Sequence, residues 1–175
     1  MLKIIAIVVV VLVAGLLLVA AMQPDDFRVQ RSATIKAPPE KIFALINHLP
    51  SWRQWSPYEK KDPDMQRQFS GPESGVGAAY AWSGDKNVGK GDMKIAAVTE
   101  PSKIVIDLNF IEPFQAHNVA EFDLIANGES TEVTWSMRGQ QVFIGKVMGL
   151  IINMDRMVGG DFELGLANLK AIAEN

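Results

Sequence analysis

The sequence predicts an α+β protein: a seven-stranded antiparallel sheet wrapped around a long carboxyl-terminal helix, carried on one amino-terminal membrane helix. Three observations predict it. Residues 4–22 carry no charge and are dominated by Leu, Val, Ile and Ala. Between Phe27 and Met137, short alternating segments are separated by Gly, Pro and Asn turns. From Gln141 to Glu174, Val147, Ile151, Met154, Val158, Phe162, Gly165, Leu169 and Ile172 recur in steps of three and four, which places them on one helical stripe. Lys146, Asn153, Arg156, Asp161, Glu163, Asn168 and Lys170 fall off that stripe, so the helix is amphipathic. A stripe this long needs a wide apolar surface, and a sheet supplies one.

The elements follow in chain order. At about 1.5 Å per residue, the apolar run of residues 4–22 spans roughly 28 Å as a helix, close to the thickness of a bilayer's hydrocarbon core. It exceeds an ordinary signal core, which predicts an uncleaved anchor over residues 1–23. The alternative is a cleaved secretory signal, with Lys3 as its basic start and Val19-Ala20-Ala21 as its cleavage site. The short tail before the apolar core predicts a domain outside the cytoplasm, although Arg28, Arg31 and Lys36 pull the other way.

Residues 24–26 read as a linker and 27–175 as the folded domain. Phe27, Val29, Arg31, Ala33 and Ile35 alternate with polar residues as a first strand. Pro39 then opens a helix with an apolar face of Ile42, Phe43, Leu45 and Ile46. Ser51 to Tyr58 reads as an irregular segment holding Trp52, Trp55 and Tyr58, folded over the core or framing an opening. Further strands are expected at 65–70, 78–82, 88–98, 103–111, 116–125 and 131–137, with tight reversals at Glu100-Pro101-Ser102 and Asn127-Gly128-Glu129.

Several local sequences carry a resemblance: Ile35-Lys36-Ala37-Pro38-Pro39-Glu40-Lys41-Ile42-Phe43, Trp52-Arg53-Gln54-Trp55-Ser56-Pro57, Pro113-Phe114-Gln115-Ala116 and the terminal stretch from Met154-Asp155 to Leu166. With the order of elements, they resemble the helix-grip fold of the START/Bet v 1-like superfamily, and more narrowly its SRPBCC polyketide cyclase/dehydrase-type proteins. The resemblance covers the chain from about Phe27 onwards and leaves the anchor outside. A cavity between sheet and terminal helix is expected on separate grounds, from the aromatic and methionine residues named below. The superfamily's activities include lipid carriers, cyclases and hydrolases, so fold alone does not choose among them.

Composition narrows the chemistry. With 17 basic and 20 acidic residues the net charge is −3, and no basic run suits a nucleic-acid surface. No cysteine is present, which excludes disulfides, thiolate metal sites and cysteine nucleophiles. The two histidines, His48 and His117, have no carboxylate or histidine at ligand spacing, so no metal and no cofactor is expected. Gly84 to Lys90 matches a phosphate loop up to its lysine, but Gly91 stands where Ser or Thr is needed and a strand follows, so it reads as a hairpin. No Gly-x-Ser-x-Gly elbow occurs. His117 is the one weak catalytic candidate, an acid or base near pH 7 if it faces inward. The ordinary position for it is a strand edge facing water.

The strongest functional signal is collective. Trp52, Trp55, Tyr80, Trp82, Phe110, Phe114, Trp135, Met154 and Met157, with His117, are the candidate ligand-binding residues. Singly each is ordinary core. Together they exceed what a tight small core requires, and methionine adapts to irregular apolar guests. The expected function is a non-catalytic, membrane-anchored binding domain for a hydrophobic small molecule or lipid. The alternatives are a cyclase- or dehydratase-like enzyme with His117 as base, and a protein-interaction or stress-response module using the Trp52–Tyr58 face. The membrane is expected to be met through residues 4–22. The sequence specifies no oligomeric state.

Overall fold

A computed structural model describes residues 1–141, 143–150 and 153–175, and all side chains of these but Leu2, Ile144, Met148 and Met154. Helix α1 runs from Leu2 to Ala21 and is long and apolar enough to cross a membrane. Strand β1 (Asp26–Ile35) leads into helix α2 (Pro39–Asn47), which Pro39 opens at its first turn. The segment expected to be irregular is instead helical. A 3₁₀ turn at Leu49–Ser51 is followed by short helices α3 (Trp52–Trp55) and α4 (Pro57–Lys61). Proline at the start of two of these pieces removes no needed donor and presets the helical φ, so the breaks come between turns rather than within them.

Six strands then form a meander: β2 (Gln66–Ser70), β3 (Ala79–Ser83), β4 (Lys90–Thr99), β5 (Lys103–Glu112), β6 (Ala116–Asn127) and β7 (Ser130–Gln140). All seven strands pair antiparallel in the order β1-β7-β6-β5-β4-β3-β2. The Gly84–Lys90 stretch is the β3–β4 hairpin, closed by Gly84 N–H donating to the Gly89 carbonyl at 2.9 Å.

The expected terminal helix is two pieces, α5 (Phe143–Gly149) and α6 (Met154–Ala173). Asn153 lies in extended backbone, and its side chain accepts from the Arg156 N–H at 2.9 Å, which makes it the N-cap of α6. A helix cannot run unbroken through a residue in that conformation. Ile151, one of the stripe residues, lies outside the described residues.

Helix α6 seats on the sheet through aromatic rings. Trp135 of β7 stacks on Phe162 of α6, with centroids 4.1 Å apart and planes within 9°, and on Phe122 of β6 at 5.0 Å. Trp52 and Trp55 close the cluster from the side, 4.7 Å apart and edge-on to Phe122 and Trp135. Their indole N–H groups donate to the Ile46 and Leu45 carbonyls at 2.8 and 3.3 Å, which also satisfies orphan acceptors at the end of α2. Ile42, Phe43, Ile46, Leu166, Leu169 and Ala173 fill the remaining space over Ile104, Leu124 and Val133. All nine of these side chains are buried.

Gly165 lets α6 approach this closely, because a Cβ there would lie 2.6 Å from the Trp135 ring and 3.1 Å from Pro57. Gly165→Leu gains about 1 kcal/mol of helix propensity. Overpacking against a ring that cannot move costs about 1–3 kcal/mol or more for added methylenes. Net destabilisation is expected, read as a lower midpoint in thermal unfolding. A Gly165→Leu midpoint at or above wild type would disprove this seating.

Candidate functional site

The sheet is longer than the helix that covers it. Helix α6 begins over Arg31 and runs towards the β1 carboxyl end, where Lys170 Nζ donates to the Thr34 carbonyl at 2.6 Å and Glu174 accepts from the Lys36 N–H at 2.7 Å. Arg31, on the inner face of β1, donates Nε to Glu163 at 2.7 Å and its two terminal nitrogens to Asp155 at 3.0 and 3.1 Å. A Cβ at Gly159 would overlap the Arg31 guanidinium, so that glycine admits the fork beneath the helix. Nearer the start of β1, the concave face continues past the first turn of α6.

That end, beyond the first turn of α6, has a distinct composition. Across the pairings, Phe27, Gly139, Asn118, Leu108, Met93, Tyr80 and Phe69 stand side by side on all seven strands. The next row towards the β5–β6 hairpin holds Ala116, Phe110, Gly91, Trp82 and Arg67. Phe27, Leu108, Phe110 and Trp82 are only partly buried, unlike the sealed residues beneath α6.

Two side chains lie along the sheet instead of standing on it. A Cβ at Gly91 would come within 2.5 Å of the Trp82 ring, and one at Gly139 would overlap Asn118 Oδ1. The indole of Trp82 rests across Gly91, with Nε1 donating to the Val88 carbonyl at 3.1 Å, and Asn118 rests across Gly139. Together they form a low floor, walled on one side by Phe110 edge-on to Trp82 at 6.0 Å.

Polar groups on this face are few. Tyr80 donates its hydroxyl to Glu59 Oε1 at 2.8 Å, and Arg67 donates Nε to Oε2 at 2.7 Å, so both oxygens of the buried carboxylate are engaged. Burial, and then the bond to Glu59, push the Tyr80 phenol above its ordinary range. Asn118 is 4% exposed, and its Oδ1 has no hydrogen-bond partner among the described residues. Its Nδ2 reaches only the Met137 sulfur at 3.7 Å.

This end of the sheet is the end that meets α1. The linker is tied to the start of α5, where Lys146 donates to the Gln23 carbonyl at 3.0 Å and pairs closely with Asp25. Gln141 N–H donates to the Asp25 carbonyl at 2.7 Å, which continues the β1–β7 ladder to the helix. Lys146, expected on the solvent face, is thus buried. The β5–β6 connection, with exposed Ile111 and Phe114, lies at the same end.

The residues singled out from sequence therefore separate. Trp52, Trp55 and Trp135 belong to the sealed ring cluster, and the buried Tyr80 with the half-buried Trp82 and Phe110 belong to the floor beyond α6. Phe114 and Met157 are each 52% exposed, the first on the hairpin and the second on the outer side of α6. The Met154 side chain lies outside the described residues. His117 does not enter the interior. Its neighbours Ala116 and Asn118 point inward, and its Nδ1 lies 2.6 Å from Asn109 Oδ1 on the outer face.

Sequence reasoning passed over Asn118 and Leu108. The signal for Asn118 was present, since Asn118 shares strand parity with the apolar Ala116, Ala120, Phe122 and Leu124. The groove formed by Leu49, Pro50, Phe69–Glu73 and Ala79 is a separate feature of about 200 Å³, smaller than ordinary small-molecule pockets.

The ion pairs under α6 set an acid limit. The Arg31 hydrogen bond holds the Asp155 carboxyl below its ordinary 3.8. The Lys36 N–H, and then Lys170, hold Glu174 below 4.5. Lowered native values mean that this stability is full above the unfolded values and is lost as pH falls through the native ones. The thermal midpoint is therefore expected to stay level from pH 7 to about 5 and to fall below about pH 4. Arg31→Met should make the acid slope shallower, and an unchanged slope would count against the fork.

Residues 26–174 match the family model described as polyketide cyclase/dehydrase and lipid transport, and the chain belongs to that family. No curated protein matches it. Among solved structures, a protein of Chromobacterium violaceum superposes with a TM-score of 0.61 at 13% identity, covering 87% of this chain and 99% of its own. A Mesorhizobium loti protein gives 0.59 at 18%, covering 83% and 95%. The di-domain ARO/CYC BexL from the BE-7585A biosynthetic pathway gives 0.65 at 10%, covering 90% of this chain and 53% of its own. At these identities the likeness is one of fold, and it is the helix-grip fold of the SRPBCC superfamily.

Proposed function

We propose that this member of the polyketide cyclase/dehydrase and lipid transport family is a membrane-anchored binding domain, non-catalytic, for a hydrophobic small molecule or lipid. The observation that carries the reading is the partly buried apolar floor of Phe27, Leu108, Phe110 and Trp82 beyond the first turn of α6. Apolar side chains left half-covered on a concave face gain about 25 cal/mol for each Å² a guest takes from water. Helix α1 serves as the anchor, with the folded domain on the extracytoplasmic side. The floor then lies at the membrane end of the sheet, where apolar guests partition. Ile111 and Phe114 dip into the interfacial layer beside it.

Geometry favours binding over turnover. The one histidine suited to act as a base turns to the outer face, and the buried Glu59 carboxylate is saturated by Arg67 and Tyr80. A cyclase-like activity would need an inward-facing base near the floor.

Two measurements test the reading. Full-length protein exposed to total membrane lipid, then examined by native mass spectrometry, should carry a bound apolar molecule. Leu108→Trp should lower the occupied fraction about tenfold, roughly 1.4 kcal/mol, while His117→Ala leaves it unchanged. Wild-type protein that carries nothing, or loss of binding in His117→Ala, would overturn it.

The second uses the absence of native cysteine. A fluorophore on Phe114→Cys in nanodiscs should be quenched by spin-labelled lipid, and one on Glu129→Cys, at the opposite end of the sheet, should not. Equal quenching at both sites would refute the membrane-facing placement.

A further inference from the structure

One atom of the floor specifies more about its apolar guest. Asn118 is the polar side chain of its row that the protein leaves unanswered. It is 4% exposed, its Oδ1 has no partner among the described residues, and its Nδ2 faces a thioether, a weak acceptor. An unpaired buried acceptor costs about 1–3 kcal/mol, whereas an apolar residue of similar size in the same place would cost nothing of the kind. The N–H to sulfur contact also fixes the sense of the amide, because the reverse orientation would set oxygen against sulfur. The acceptor therefore points away from Met137, over Gly139 and beside the half-buried Phe27 ring, which a guest displaces to reach it.

The chemistry around it selects the partner. Oδ1 accepts and cannot donate, so its complement is a hydroxyl or N–H group. An anionic headgroup would meet a like partial charge, with no free cation on the inner face among the described residues to offset it. Of the inner-face cations, Arg31 is held by Asp155 and Glu163 two rows away, and Arg67 is held by Glu59. The flanking positions Phe27, Leu108 and Met137 are apolar.

We propose that Asn118 is the specificity determinant of the floor and that the guest is an uncharged amphiphile whose hydroxyl donates to Asn118 Oδ1. The proposal rests on the binding function argued above. Fatty acids and other anionic lipids are disfavoured, and a purely hydrocarbon guest leaves the amide unpaired.

Full-length protein in nanodiscs is exposed separately to 1-hexadecanol, to its methyl ether and to hexadecanoate, and bound mass is read by native mass spectrometry. The alcohol and ether share an apolar chain and differ in one donor. The alcohol should occupy about tenfold more sites than the ether, the equivalent of about 1.4 kcal/mol, and also more than the carboxylate. Asn118→Leu should erase the alcohol-over-ether preference while ether binding persists, and should raise the ligand-free melting midpoint by removing an unpaired acceptor. Should Asn118→Leu fail to fold, Asn118→Ala serves for the same comparison. Equal alcohol and ether occupancy in wild type, a carboxylate preference, or an alcohol preference that survives in the variant would overturn the role of Asn118 while leaving the floor as a binding site. Binding of none of the three probes would instead remove the binding site itself, and the role of Asn118 with it.

Discussion

The stacking of Trp135 between Phe122 and Phe162 is the contact on which the rest of the domain depends. It brings two strands of the sheet and the terminal helix to one point, and Gly165 is the position that lets them meet. Aromatic pairs in this geometry contribute about 0.5–1.5 kcal/mol beyond the area they bury. Their directional preference matters as much as that energy. A flat ring stacked on Phe122 and on Phe162 fixes the height of α6 above the sheet. Trp52 and Trp55 then brace the clamp from the side, which explains why the short turns after α2 take the shape they do.

Once α6 is fixed there, its length decides what the concave face can do. The helix is capped at Asn153 and starts over Arg31, so its first turn stops short of the Phe27–Phe69 row. The Arg31 fork marks that boundary chemically. A guanidinium satisfied on several sides is tolerable at the edge of a packed region, where water still reaches it, and would be costly within one. Beyond the fork α6 no longer covers the face, and α5 is bound to the linker by Lys146 rather than to the ring cluster. The concave face is thus divided into a part held beneath α6 by aromatic packing and a part beyond its first turn.

Much of this was legible in the residues. Strand parity, the proline-opened helix after β1, the apolar run of α1 and the stripe on α6 all follow from period and turn chemistry. The division of the aromatics was not. Trp52, Trp82 and Trp135 carry the same hydropathy, and only the register of β3 against β4 and of β6 against β7 places one over Gly91 and another beneath Gly165. Register is a long-range property, set when strands distant in sequence pair. The break before α6 was missed for a different reason. The three-and-four spacing continues across it, and periodicity reports which residues share a face, not whether the backbone between them is continuous. Lys146 shows the same limit, since a lysine off an apolar stripe is buried here by a carboxylate from the linker.

Two buried polar atoms lack partners among the described residues, Trp135 Nε1 and Asn118 Oδ1, and they carry different weight. Trp135 owes its place to its ring. It is the centre of the stack, tryptophan supplies more face than any alternative, and the unpaired N–H is a cost that the stacking offsets. Asn118 has no such compensation. Its side chain packs against glycine and a thioether, contributes little apolar area, and sits in a row where leucine or valine would remove the penalty outright. An unsatisfied group that yields nothing to the folded protein alone is best understood through what it does in a complex. On the floor beyond the first turn of α6, and not beneath it, a guest's donor is the complement proposed for it.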